Sequence, residues 1–184
     1  MTIQFKLTET DSELQGILDL QGLNLLSEIS ESEKLEQGFV TVRHRLEQLR
    51  LMQEIEPHVI AVDGKKVIGY ILAMTKESRD LVPVLVPMFE QFDRLILGEK
   101  YLSHFDYMVI GQICVDKAYR GQGIFDIMYE LYRRTFSVQY NFAITEIALS
   151  NKRSLKAHQR VGFRTIHEFE DISNKWAIVL LDWK

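Results

Sequence analysis

Gly121 and Gly123, set directly before the amphipathic stretch that begins at Ile124, are the residues best placed to support chemistry. An apolar run precedes them, so a buried strand leads into a glycine turn and then a helix. The first backbone N–H groups of such a helix have no internal partner and carry the positive end of its dipole. With no side chains on the turn an anion can reach those groups, and a pyrophosphate suits them best. Arg120 adds a cation beside the same place. Two other phosphate loops fail to match. A P-loop needs Gly-Lys-Ser or Gly-Lys-Thr after its spacer, and neither is present. A dinucleotide-binding turn needs a third glycine where Asp126 stands, and its strand comes early in a chain, not at residue 107.

A second polar group lies downstream. Residues 154–161 read as a short helix that Gly162 closes, with Asn151 just before it. Asn151 suits the cap of that helix. At about 100° per residue, His158 falls between Ser154, Leu155 and Val161 and points partly inward. Two readings of it stand: a residue of a site, or a core histidine held by a backbone carbonyl. Cys114, on an apolar strand with nothing nearby in sequence to lower its pKa, reads as a core residue. His44 and His58 read as surface or helix-end residues, and no His/Asp/Glu spacing suggests a metal site.

These segments carry a resemblance. Arg120-Gly121-Gln122-Gly123-Ile124-Phe125 resembles motif A of the GNAT N-acetyltransferase superfamily, Arg/Gln-x-x-Gly-x-Gly/Ala, and residues 151–163 are similar to its motif B, from Asn151 through His158 to Gly162-Phe163. Both stand in family order at a family-like separation, and the resemblance extends over essentially the whole chain. It implies acetyl-CoA (coenzyme A) as co-substrate. Arg120, Gly121, Gln122, Gly123, Ile124 and Phe125 would hold the pyrophosphate. Ile113, Cys114 and Val115 would align the pantetheine arm and thioester. Asn151, Ser154 and His158 would contact the arm, with His158 protonating the departing thiolate. Two departures stand out: Phe125 replaces the usual Gly or Ala, and His158 stands where many members have Tyr.

The implied reaction is N-acetyl transfer by direct attack of a primary amine, borne by a small molecule or a peptide. Such an amine needs a base. The strand at 107–115 holds no carboxylate. Asp106 just before it ranks first, ahead of His104 and of Glu146 on the following strand. Acidic Glu90, Asp93 and Glu99 read as a solvated face. A non-catalytic acetyl-CoA-binding sensor or an interaction module on the same scaffold is the alternative, since fold alone does not fix function. A homodimer is common among such relatives.

The surrounding elements must position these residues. The alternation at 3–7 reads as a strand, and Thr10-Asp11-Ser12 as the start of a helix. Over residues 31–53, Leu35, Phe39, Val42, Leu46 and Leu49 recur at spacings of four and three, which predicts one long amphipathic helix ended by Pro57. Residues 59–62 and 66–74 flank Asp63-Gly64 as a hairpin. Residues 86–97 read as helical. The strand at 107–115 is apolar throughout and therefore central in its sheet. A helix over 124–138 turns Ile124, Ile127, Met128, Leu131 and Thr135 inward. Strands at 142–149, 163–169 and 175–183 surround the motif B helix at 154–161. The order predicts one α/β domain over residues 1–184. The resemblance implies that its sheet is mixed, mostly antiparallel, with six to seven strands and helices on both faces.

The composition narrows the field. The chain has 184 residues, 46% hydrophobic and 26% charged, which excludes disorder and coiled-coil arrays. One cysteine allows no intrachain disulfide and no cysteine-based metal cluster. The most charge-poor stretch, residues 81–89, falls far short of the ~20 apolar residues of a membrane helix. No signal peptide is legible at the start, so a cytoplasmic, reducing setting is expected. A net charge of -4 argues against a dedicated nucleic-acid binder.

Overall fold

The computed structural model describes residues 2–25, 40–172 and 174–183. Strand β1 (Gln4–Leu7) leads to helix α1 (Asp11–Gly22). Thr10 caps that helix: its hydroxyl accepts from Glu13 N, and the Glu13 carboxylate accepts from Thr10 N at 3.0 Å. Reciprocal satisfaction of two orphan donors explains the abrupt start. Helix α2 (Leu46–Ile55) packs beside α1, and Arg50 donates twice to Asp11, at 2.8 and 2.7 Å. The hairpin of β2 (Val59–Asp63) and β3 (Lys66–Met74) turns through Gly64 at a φ of 61°.

Helix α3 (Val86–Arg94) and a two-stranded ribbon, β4 (Ile96–Leu97) with β5 (Lys100–Tyr101), follow. Then come β6 (Met108–Val115), α4 (Ile124–Phe136), β7 (Phe142–Ala148), α5 (Lys152–Arg160), β8 (Arg164–Glu170) and β9 (Lys175–Asp182). Among the described residues the main sheet has seven strands in the order β1-β2-β3-β6-β7-β9-β8. Only β6 and β7 run parallel; the other pairs are antiparallel. One core cluster joins α1, α2 and α3 to one sheet face, and a second joins α4 to the other. Among the described residues, no helix is long and apolar enough to cross a membrane.

Two features of β6 shape everything that follows. It lies at the centre of the sheet, yet it pairs with β7 only through Met108↔Ala143 and Val109↔Ile144. Beyond Val109 the two strands part, and the Thr145 hydroxyl donates to Ile110 O at 2.8 Å in place of a ladder bond. Opposite β3 the register slips: Leu72 pairs with Gln112 and Ala73 with Ile110, leaving Gly111 as an extra residue. A bulge of this kind bends a strand and re-aims its side chains. A Cβ on Gly111 would come within 2.7 Å of the Met74 sulfur.

Several expectations need correcting. Residues 31–39 of the long predicted helix lie outside the described residues. Residues 40–45 are not helical, and the helix begins at Leu46, where the Gln48 side chain accepts from Arg45 N at 2.9 Å. Tertiary bonds to residues 42–44, described below, outweigh helical periodicity there. The helix predicted over residues 86–97 stops at Arg94. Helix α4 buries Ile124, Met128, Tyr129, Tyr132 and Phe136, while Ile127 is 47% exposed. Its inward face is rotated toward the aromatic side chains, which bury more area than Ile127, Leu131 and Thr135. His44 and His58 are buried, not superficial. His58 Nδ1 accepts from Ala73 N at 3.1 Å, and burial drives its pKa down to about 3.

Candidate functional site

The turn between β6 and α4 is built around glycine backbone geometry. Gly121 and Gly123 have φ angles of 79° and 78°, a region that L side chains rarely adopt. Gly123 is the residue that caps α4, and nothing lies within 4 Å of the position a Cβ would take on either glycine. The turn is braced from behind. The Asp116 carboxylate accepts from Ala118 N at 2.9 Å and from Lys66 Nζ at 2.6 Å. Arg120 donates from Nε to Val115 O at 2.9 Å and from its terminal nitrogen to Asn24 Oδ1 at 2.7 Å. Arg120 therefore ties the turn to the end of α1.

A cavity of about 830 Å³ opens over this turn. It is lined by the end of β6 (Ile113, Cys114, Val115), by Arg120, Gly121, Gly123, Ile124 and Phe125, and by Asn151 and Ser154. The structure thus brings ten of the predicted cofactor residues to one cavity. Gln122 does not join them: it is exposed, and its side chain turns back to Ala118 O. Lys152, Arg153, Lys156 and Arg160 also line the cavity, giving with Arg120 five cations against the single carboxylate of Asp126. In a chain of net charge -4 that is a strong local reversal. Sequence reasoning passed over the four α5 cations. Their spacing of one, three and four along that helix was the signal for a basic face. Cys114 sits at the wall with its thiol pushed up to about 12 by burial, which keeps it protonated.

Phe125 turns its ring away from the turn. The ring lies 5.0 Å from Tyr129, 5.3 Å from His158 and 5.7 Å from the Arg160 guanidinium. The large side chain at this position therefore packs between α4 and α5 and leaves the glycine backbone uncovered.

A second, smaller cavity of about 90 Å³ occupies the gap where β6 and β7 part. It shares Val40, Ile113, Asn151 and Ser154 with the first, so the two meet there. Its other walls include Gln112, Thr145, Glu146, His158 and Trp176. Glu146 Oε2 is buried with no hydrogen-bond partner. Burial, with the charge of Asp171 adding to it, pushes the Glu146 carboxyl up to about 7. A carboxylate poised near neutral pH in a cleft is what proton transfer at pH 7 requires.

Asn151 accepts from Ser154 N at 3.2 Å through its side chain and so caps α5. His158 is buried, and its Nδ1 lies 2.8 Å from Ser154 O, an acceptor only, which fixes the proton on Nδ1. His158 Nε2 then accepts from the Tyr129 hydroxyl at 2.8 Å. Burial lowers its pKa to about 4, so the ring is neutral at pH 7. Both nitrogens are engaged inside the protein, as in the core-histidine reading.

Asp106 lies elsewhere. It stands at the entry to β6, at the end of the strand away from Val115, which is ~25 Å for a strand of this length. Its side chain is 77% exposed, its nearest cation is Lys76 at 3.9 Å, and its backbone pairs with Asn141. It lines neither cavity. The direction of β6 decides this: a residue preceding the strand ends up at the opposite edge from the turn that follows it.

Comparisons with known proteins agree with this architecture. The model of the acetyltransferase (GNAT) family matches residues 23–163. The fold resembles that of arylalkylamine N-acetyltransferase 2 from Aedes aegypti, with a TM-score of 0.68 at 12% identity over 100% of both chains. It also resembles Arabidopsis thaliana NAA60, solved with acetyl-CoA, with a TM-score of 0.64 at 14% identity over 98% of both chains. The ribosomal-protein-S18-alanine N-acetyltransferase of Escherichia coli gives a TM-score of 0.64 at 11% identity, over 100% of this chain and 95% of that one. No curated protein sequence matches the chain.

Proposed function

Because the chain belongs to the acetyltransferase (GNAT) family, we infer that it moves the acetyl group of acetyl-CoA onto a primary amine by direct attack. One observation carries this reading. A cationic cavity over a helix start meets a cavity holding a buried carboxylate, and the junction lies where β6 and β7 part.

Acetyl-CoA is the co-substrate, and the residues present fit it. The positive-φ glycines leave the start of α4 uncovered for a pyrophosphate, and the basic face of α5 supplies countercharge. On its β7 side, β6 has no strand partner beyond Val109 among the described residues. Its backbone around Ile113 is therefore available to the amides of a pantetheine arm, as a sheet edge is to an added strand, while Val115 O is taken by Arg120 Nε. Holding both reactants at the junction removes much of the entropic barrier.

Glu146 is the general base in this reading, in place of Asp106. Above pH 7 its carboxylate takes a proton from the amine, whose nitrogen attacks the thioester carbonyl. The C–N bond forms, the C–S bond breaks, and the proton held by Glu146 returns through solvent to the departing thiolate. His158 serves as a positioning residue: neutral and bonded at both nitrogens, it fixes the turn that carries Ser154. The acceptor is a small-molecule or peptide amine.

Calorimetric titration with acetyl-CoA alone, followed by thiol release against a panel of primary amines, tests the reading. Micromolar affinity with amine-dependent release is the expected result. Binding without release for any amine would make the protein a sensor, and no binding would overturn the cofactor assignment.

A further inference from the structure

Residues 40–45 cross the molecule beside the junction of the two cavities with no helix or strand of their own beyond a bridge between Val40 and Leu25. Such a segment needs partners from elsewhere for its backbone groups. Two buried glutamines supply them. Gln112 Nε2 donates to Val42 O at 2.9 Å, and His44 N donates to Gln21 Oε1 at 2.8 Å. Gln21 Nε2 in turn donates to Gln112 Oε1 at 2.6 Å and lies 2.9 Å from His44 Nδ1, while the Tyr70 hydroxyl donates to Gln112 Oε1 at 2.6 Å.

Each side-chain amide in this network is satisfied. Gln21 is 1% exposed, Gln112 9% and Tyr70 0%. Burying two amides in a core is costly unless every group is paired, and an apolar pair would fill the same space with less demand on geometry. What the amides add is a fixed place for an irregular segment. The Gly111 bulge makes this possible. In a strand without a bulge Gln112 would share the face of Ile110, toward α4; because Gly111 opposes no residue of β3, Gln112 faces α1 beside Leu72.

The held segment touches both substrates' spaces. Val40 lines both cavities, and Thr41 lines the one containing Glu146, as does Gln112 itself. Val40 N donates to Asn24 O at 3.0 Å, and Asn24 Oδ1 is the acceptor for Arg120 of the glycine turn. The segment is thus anchored to the cofactor turn at one end and to the glutamine pair at the other.

The geometry points to Gln21 and Gln112 as positioning residues that hold residues 40–44 over the junction of the two cavities and so control access of the attacking group to the thioester. This rests on the acetyl-transfer reading above for the identity of the two cavities.

Gln112→Met keeps the shape and removes the polar bonds, and three readouts test it. Amide hydrogen exchange at His44 rises at least tenfold, while the β3 amides keep their rates. Acetyl-CoA affinity by calorimetry stays within twofold. Thiol release at saturating acetyl-CoA, with water as the only acceptor, rises at least threefold because the segment no longer shields the thioester. Gln21→Met, acting from α1, gives the same pattern if Gln112→Met does not fold. Tyr70→Phe, which leaves both bonds to the segment intact, keeps the His44 exchange rate. Unchanged exchange at His44, or equal acceleration throughout the chain, overturns the proposal, as does an unchanged release rate with a loosened segment. Wild-type protein that fails to bind acetyl-CoA overturns the acetyl-transfer reading instead, and leaves the exchange result readable.

Discussion

The Tyr129 hydroxyl donates to His158 Nε2 across 2.8 Å, joining the helix that starts at the glycine turn to the helix that carries the basic face. Phe125 and Phe163 close around the same imidazole at 5.3 and 5.1 Å. The two helices that flank the large cavity are therefore locked to each other through one neutral ring, and the cavity between them has a defined width.

That bond makes Tyr129→Phe informative. The substitution keeps the ring packing and leaves His158 Nε2 buried without a donor, a loss of about 1–3 kcal/mol. Denaturant unfolding should show it. His158→Phe removes the demand for a partner along with the ring nitrogens, so the double variant should cost less than the sum of the singles. Strict additivity would mean that the two side chains do not interact.

Gly123→Asp should weaken acetyl-CoA binding at least a hundredfold in calorimetry. Its carboxylate would repel the phosphate, and its Cβ would point into the open space over the turn. The φ of 78° adds a conformational cost of about 1–2 kcal/mol. Gly123→Asn separates the two effects, since it shares the conformational cost of Asp and carries no charge. It should retain most of the affinity that Asp abolishes. Equal loss in both variants would assign the effect to backbone strain.

Glu146→Gln should lower kcat/KM about a hundredfold and erase the acidic limb of the pH–rate profile near pH 7, with acetyl-CoA affinity unchanged. It also has a stability signature of definite sign. The folded-state pKa of about 7 lies above the ordinary value of 4.5, so the folded protein binds the proton more tightly. The resulting stabilisation is full below pH 4.5 and is lost as pH rises through 7. At pH 8 the buried carboxylate is a burden, and Glu146→Gln should raise Tm there while changing it little at pH 4.5. Equal Tm shifts at both pH values would contradict the burial argument.

Much of this site was legible in the residues themselves. Gly121 and Gly123 announce a turn that only glycine adopts readily, Thr10 with Glu13 announces a helix start, and Asp63-Gly64 announces a hairpin. All are local rules. The mixed α/β order followed from such elements, and the mostly antiparallel sheet of six to seven strands from the resemblance carried by residues 120–125 and 151–163. What sequence periodicity misread was decided by distant partners. Residues 40–45 fit a helical stripe, but Gln21 and Gln112 hold them extended. Ile127 fits the inward face of α4, but Tyr129 and Tyr132 claim it. Asp106 is close to the site in sequence and a strand's length away in space. Glu146 is the reverse: its environment depends on the parting of β6 and β7, which rests on the Gly111 bulge and the Thr145 bond to Ile110.

The basic face of α5 leads to a salt-dependent prediction. Lys152 and Lys156 line the large cavity one helical turn apart, near the side on which a polyanionic ligand would lie. Their contribution is long-range and screened, with a Debye length of about 10 Å at 0.1 M salt. Lys156→Glu should therefore weaken acetyl-CoA binding about tenfold at 50 mM salt and much less at 500 mM, with no change in Tm beyond a degree or two. The wild-type affinity should itself fall over that salt range. An affinity that ignores salt in both proteins would show that the phosphates are held by the backbone turn alone, with the α5 cations serving only solubility.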